Sequence, residues 1–75
     1  MKQITIYDLL PLLKNGWVAM DKDGTWCWFS KKPNVGDMEW LWVGRVRFLD
    51  SFNIKRARKW KDSLIKVEHK EEDDV

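Results

Sequence analysis

The chain has 75 residues, enough for one small domain, and 44% of them are hydrophobic, including six tryptophans. A single cysteine excludes an internal disulfide and a cysteine-rich metal site, and no apolar run approaches the roughly 18 residues of a membrane-spanning helix. With a net charge of only +2 and no leader pattern at the N-terminus, the composition is typical of a cytoplasmic protein without a membrane segment.

The first predicted element is a short amphipathic helix over residues 5–14. Thr5 and Asp8 fit a helix start signal, leucines follow at helical spacing, and Gly16 fits the position just after the helix. Because of Pro11, either Thr5 or Asp8 could be the N-cap of this helix. With Thr5 as the cap, the proline removes an internal hydrogen bond, whereas with Asp8 as the cap it falls in the first turn, where no donor is needed.

A β-hairpin follows the helix. Residues 17–20 form the first predicted strand, a four-residue turn ends in Gly24 at a positive φ, and residues 25–30 return. Because strand side chains alternate, Trp26 and Trp28 are expected on one face.

After a loop predicted at residues 32–36, the pattern indicates a third strand over residues 38–49. Its even positions are apolar, so we expect them to face the core beneath the helix: Met38, Trp40, Trp42, Val46 and Phe48. Pairing with the preceding strand would join four indoles into a cross-strand cluster, as core packing or alternatively as a stacking platform for bases or sugars. Gly44 allows a second arrangement, in which a bulge exchanges the two faces beyond it.

The remaining segments are a basic stretch at residues 55–61 with weak helical character and a closing strand at residues 64–67. The predicted fold class is α+β, with one N-terminal helix packed on a small three- to four-stranded antiparallel sheet. Residues 1–67 form the single globular domain and carry a net charge of +6, while residues 68–75 carry −4 and are expected to be a disordered acidic tail.

The outward face of this predicted sheet mixes apolar and basic side chains, which favours an interaction surface. A protein partner or a second copy of the chain would satisfy it equally well. The predicted partner-binding residues are Phe29, Leu41, Val43, Arg45 and Arg47.

Nucleic-acid binding is the alternative function. Residues 55–61 hold five cations and one indole, and the two arginines of the third strand extend this set into a basic stripe. The residues of this alternative are Arg45, Arg47, Lys55, Arg56, Arg58, Lys59 and Trp60.

The sequence gives no signal for catalysis, a metal or a cofactor. His69, the one histidine, falls in the predicted tail, so no Ser/His or Cys/His pair is expected in the folded body. Cys27 lies in an apolar strand and is interpreted as a buried, unreactive thiol. We therefore expect a protein that is not an enzyme.

Three segments, residues 4–14, 16–26 and 60–67, resemble the short, tryptophan-rich, uncharacterised proteins encoded by phages and prophages of gut bacteria. The resemblance covers most of the chain but not the basic stretch or the acidic tail. It implies a small accessory protein of the host bacterial cytoplasm that binds and blocks a host factor, for example a defence factor such as a CRISPR effector. The resulting hypothesis is a non-enzymatic protein that binds a host protein.

Overall fold

A computed structural model of the chain describes residues 3–69 and shows an α+β fold with more sheet than helix. One helix, α1, spans Ile6–Leu9 and continues into a 3-10 turn at Leu10–Leu12; a second 3-10 turn spans Trp60–Asp62. The strands are β1 (Gly16–Met20), β2 (Trp26–Phe29), β3 (Asn34–Val35), β4 (Trp40–Leu41), β5 (Val46–Phe48) and β6 (Ile65–Val67).

Thr5 is the N-cap of α1, which settles the choice between the two caps. Thr5 is extended, and its backbone N–H donates to Asp8 Oδ2 at 2.9 Å. Pro11 lies in the 3-10 turn, so the α-helix is a single turn and shorter than predicted. The prediction of Gly16 as a helix-terminating glycine is wrong, because the helical stretch ends at Leu12 and Gly16 already belongs to β1.

The predicted hairpin and closing strand are both present. β1 and β2 pair antiparallel, with Trp17 opposite Phe29 and Met20 opposite Trp26, and Gly24 in the turn has a φ of 94°. β6 pairs antiparallel with the other side of β1. β5 joins the outer side of β2, so the four-stranded sheet has the order β5-β2-β1-β6.

The prediction of one continuous third strand over residues 38–49 is wrong, and so is the prediction of a loop over residues 32–36. β3 and β4 form a separate two-stranded sheet, and the chain then passes Gly44, with a φ of 84°, before it enters the main sheet as β5. A positive φ is easily reached only by glycine, and here it separates the two halves of an otherwise strand-like pattern.

Apolar side chains fill both sides of the main sheet. The core on the helix side contains Ile6, Leu9, Val18, Met20, Trp26, Leu49, Ile54 and Val67. The core on the opposite side contains Ala19, Cys27, Phe29 and Trp40, with half-buried Trp17, Trp60 and Leu64 packed against it. β2 is thus a central strand buried on both faces, as its four consecutive apolar residues allow.

The predicted cluster of four indoles does not form, because β2 pairs with β5 rather than with β4. Trp26 is buried on the helix side and Trp40 on the opposite side, while Trp28 is half-buried and Trp42 is 44% exposed. The expectation that the indoles face the core beneath the helix is therefore confirmed for Trp26 and for half-buried Trp28, and it is wrong for Trp40 and Trp42.

Of the predicted acidic tail, residues 70–75 lie outside the described residues. The backbone N–H of His69 donates to Asn15 Oδ1 at 2.9 Å, which ties the end of the described chain to the loop before β1. In the described part of the chain, no helix has the length and apolar character needed to cross a membrane.

Candidate protein-interaction surface

The five residues predicted to bind a partner do not share one face, and Phe29 is not available at all. Its side chain is 1% exposed and packs in the core on the opposite side of the sheet with Ala19 and Trp40. The prediction of Phe29 as a contact residue is wrong, because the chain after β2 folds back and places Trp40 over that side.

The two arginines lie on the helix side of the sheet. Cross-strand partners share a face, and β5 places Arg47 opposite Trp28 and Val46 opposite Phe29. Arg45 precedes Arg47 by two residues and lies on the same side. The prediction that Arg45 and Arg47 face away from the helix is therefore wrong. They lie on the Trp28 side because β5 pairs with β2, and not because the faces exchange at Gly44, since Trp40 before it and Val46 after it both pack on the side opposite the helix.

Residues 41–43 form an exposed apolar segment that starts with Leu41 at the end of β4 and leads toward β5. Leu41 is 53% exposed, Trp42 44% and Val43 66%. Phe48 lies on the side of β5 that faces away from Arg47 and Trp28, and it is 58% exposed. Large apolar side chains grouped at the surface are typical of contact sites, because a monomer gains nothing from exposing them.

The end of segment 41–43 next to β4 is fixed by Trp40. Its backbone N–H donates to Asp21 Oδ1 at 3.0 Å, and its indole Nε1–H donates to the Met20 carbonyl at 3.0 Å. Burial raises the pKa of Asp21, while the hydrogen bond from Trp40 favours the carboxylate and partly offsets that effect. The segment is therefore held at this end by a buried side chain.

The other end of the segment is fixed by Ser30. The Ser30 N–H donates to the Arg45 carbonyl at 3.0 Å, and the Arg45 N–H donates to Ser30 Oγ at 2.9 Å. A Cβ at Gly44 would lie 2.8 Å from the same hydroxyl oxygen, so the backbone approaches Ser30 too closely for a larger residue. The exposed side chains of residues 41–43 are thus carried on a backbone anchored on both sides.

Beside this segment lies a cleft of about 220 Å³ lined by Lys14, Trp28, Arg45, Val46 and Arg47, which we call the Trp28 cleft. The Trp28 Nε1–H donates to the Lys14 carbonyl at 2.9 Å, which fixes the indole in the cleft. The lining holds three cations and no acid. Within residues 3–69 the ion pair joins Lys66 to Glu68 and involves none of these cations.

The residues of the nucleic-acid alternative fall into separate groups. Lys55, Arg56 and Arg58 line a different cleft of about 310 Å³, beside Tyr7 and Trp26. Its lining also includes Asp62, so this second cleft carries both signs of charge.

The two basic groups lie toward opposite ends of β2. Arg56 packs on the β1–β2 turn, where a Cβ at Gly24 would meet its guanidinium, whereas Arg45 is bonded to Ser30. Gly24 and Ser30 are separated by six residues, which span about 20 Å of extended chain.

Trp60 is packed rather than offered for stacking. Its ring contacts Trp40 edge to face, with centroids 6.4 Å apart and planes at 90°. The side chain is half-buried and packs against the cores on both sides of the sheet. The indole predicted as a base-stacking residue therefore packs in the fold, and the Lys61 ammonium lies 5.6 Å from its ring centroid.

Cys27 and His69 are of residue types that often act in catalysis, but here each is engaged in packing or in a backbone contact. Cys27 is 2% exposed, and burial raises the pKa of its thiol to about 12. His69 Nε2 lies at hydrogen-bond distance from the Leu13 carbonyl. Within the described part of the chain, no three His, Cys, Asp or Glu side chains are grouped closely enough to hold a metal ion.

Comparison of the chain with protein-family models, with curated proteins and with solved structures found no match. The Trp28 cleft is the feature that the sequence analysis missed, since it joins Lys14 to residues about 30 positions later. No local sequence signal pointed to it, because the pairing of β5 with β2 that places Arg47 opposite Trp28 is a tertiary contact.

Proposed function

We propose that the chain is a non-enzymatic binding protein whose partner is another protein, contacted through segment 41–43 and the neighbouring arginines Arg45 and Arg47. The single observation that carries this proposal is the exposure of three consecutive large apolar side chains on an anchored backbone. Protein interfaces combine such an apolar centre with a polar rim in which arginine is enriched.

The distribution of buried groups supports the same proposal. Each side of the main sheet already has its own apolar core, so residues 41–43 are not left over from an incomplete one. A domain of this size has a thin stability margin, and exposed tryptophan and leucine side chains contribute little to it. Their retention at the surface is explained by a contact made outside the domain.

The resemblance to phage- and prophage-encoded proteins extends the proposal to the identity of the partner. In that setting the partner is a host protein of the bacterial cytoplasm, for example a defence factor such as a CRISPR effector. Arg45 and Arg47 then favour a host surface that carries carboxylates.

The test is retention from a nuclease-treated bacterial lysate on the immobilised full chain. We expect one host protein to be retained stoichiometrically by the wild-type chain. The double variant Leu41→Ser/Val43→Ser should retain at least about tenfold less, because fully burying a leucine or valine side chain contributes about 1.5–3 kcal/mol.

The matched control is Leu12→Ser, which removes another exposed leucine, 79% exposed, from the 3-10 turn after α1. This variant should retain the partner as the wild type does, and circular dichroism should show all three proteins folded. Equal retention by the wild type and the double variant, or no stoichiometric retention at all, would refute the proposal.

A further inference from the structure

Strand β5 is an open edge of the main sheet. It pairs with β2 on one side, and among the described residues no strand is bonded to its other side. An unpaired edge presents backbone donors and acceptors that another strand can use.

The hydrogen-bond pattern identifies which backbone groups of β5 are open. Arg45 and Leu49 are both bonded to β2: the Arg45 carbonyl accepts from Ser30, and the Leu49 N–H donates to the Trp26 carbonyl at 2.9 Å. Bonding alternates along an antiparallel strand, so Arg47 also faces β2. The N–H and C=O groups of Val46 and Phe48 therefore point away from the sheet.

The two sides of this edge differ in chemistry. On the helix side, Arg45 and Arg47 stand with Lys14 around the Trp28 cleft. On the opposite side, β5 presents Val46, which is half-buried, and Phe48, which is 58% exposed. A strand added here would place alternate side chains against three cations and against an apolar surface.

We propose that β5 is completed by an extended segment of the protein partner in which acidic side chains alternate with apolar ones. This inference rests on the proposed function and gives it a binding mode. Backbone hydrogen bonds to Val46 and Phe48 supply affinity, and the alternation supplies specificity. The acidic side chains enter the Trp28 cleft, and the apolar side chains cover Phe48.

A second copy of the chain is disfavoured as the occupant. Pairing of two β5 strands would place Arg45 and Arg47 of both copies on one face, and like charges on neighbouring strands are destabilising. The opposite edge, β6, carries Lys66 at its centre as β5 carries Arg47, but Lys66 already forms an ion pair with Glu68 at 3.5 Å and lies over the Trp17 ring.

The first experiment titrates the full chain with three capped six-residue peptides. One alternates glutamate and valine, one has the same composition in two blocks, and one alternates but is N-methylated at the amides that would face β5. We expect the alternating peptide to bind at least about tenfold more tightly than the other two, because only it offers both the alternation and the backbone donors.

Amide hydrogen exchange is the second readout. The alternating peptide should slow exchange at Val46 and Phe48 while leaving the amides of β6 unchanged. Equal binding of the alternating and block peptides, or unchanged exchange at Val46 and Phe48, would refute strand addition. Stronger protection of these amides by an oligothymidine than by the alternating peptide would refute it as well.

Two variants with equal charge change complete the test. Arg47→Glu should abolish binding of the alternating peptide, whereas Lys22→Glu, an exposed change in the β1–β2 turn, should preserve it. If the host protein is retained from the lysate through residues 41–43 but the peptides behave alike, strand addition fails and the proposed function stands. If the alternating peptide binds as described but no host protein depends on residues 41–43, the proposed function fails.

Discussion

Cys27 shows at the level of one residue how closely the side of the sheet opposite the helix is packed. The side chain is paired across strands with Ala19, belongs to the same core cluster as Phe29 and Trp40, and is almost fully buried. Removal from water disfavours the thiolate, which is why the pKa of this thiol rises to about 12. The same burial makes the residue a probe for opening of this core.

We expect Cys27 to react with a disulfide-exchange reagent only in the unfolded chain. At about pH 8 the folded protein should show almost no reaction, and one thiol per chain should react in concentrated urea, because the thiolate is the attacking species. Thiol release followed by absorbance measures both. Rapid reaction of the folded protein would show that this side of the sheet is open.

The same residue should make stability depend on pH in the alkaline range. A cysteine in the unfolded chain loses its proton near pH 8.5 to 9, but the folded chain holds it to about pH 12. The unfolded state therefore binds fewer protons, and the free energy of unfolding falls as pH rises through this window. At about pH 10 the wild type should have lost about 1.5–2 kcal/mol more than Cys27→Ala relative to pH 7.5, as measured by urea unfolding. Parallel losses in the two proteins would contradict the assignment.

At the level of elements, the β3–β4 hairpin is docked through the indole of Trp40, and Pro33 just before β3 is also fully buried. Trp40 is 6% exposed, and it donates hydrogen bonds to the Met20 carbonyl and to the Asp21 carboxylate. We expect Trp40→Ala to lower the free energy of unfolding by about 3–5 kcal/mol, as for other large core truncations. The matched variant Trp42→Ala, two residues further and 44% exposed, should cost less than about 1 kcal/mol. Urea unfolding compares them, and similar costs would show that the hairpin is not docked through Trp40.

Elements with a local signal were predictable from the sequence. The β1–β2 hairpin carries its own turn at Gly24, and the helix start carries Thr5 and Asp8, so both follow from residues close in the chain. The region 38–49 was not predictable in this way. One long strand and two short strands separated by Gly44 give the same alternation, and only the tertiary pairing of β5 with β2 distinguishes them.

At the scale of the whole molecule, the candidate site was predictable in part for the same reason. Leu41, Val43, Arg45 and Arg47 are exposed, but Phe29 is buried because Trp40, eleven residues later, packs over its side of the sheet. Four successive apolar residues in β2 are compatible with one covered face or with two. What covers the second face depends on where a distant segment folds, and alternation within β2 carries no information about that.

The same whole-molecule arrangement determines how the chain should behave toward nucleic acid. A continuous stripe would join the six cations of the predicted set, but Arg45 and Arg47 line the Trp28 cleft, whereas Lys55, Arg56 and Arg58 line the cleft beside Trp26. For single strands, the logarithm of the affinity falls with the logarithm of the salt concentration by about 0.7 for each phosphate contacted. Six cations would therefore give a slope near 4, and the three cations of the Trp28 cleft a slope near 2.

We expect a labelled single-stranded oligonucleotide to bind weakly with a slope no steeper than about 2, because one strand cannot contact both clefts at once. Fluorescence anisotropy over a range of salt concentrations measures the slope. A slope near 4 that falls in both Arg45→Ala/Arg47→Ala and Lys55→Ala/Arg58→Ala would show that the two clefts act together and would place nucleic-acid binding ahead of protein binding.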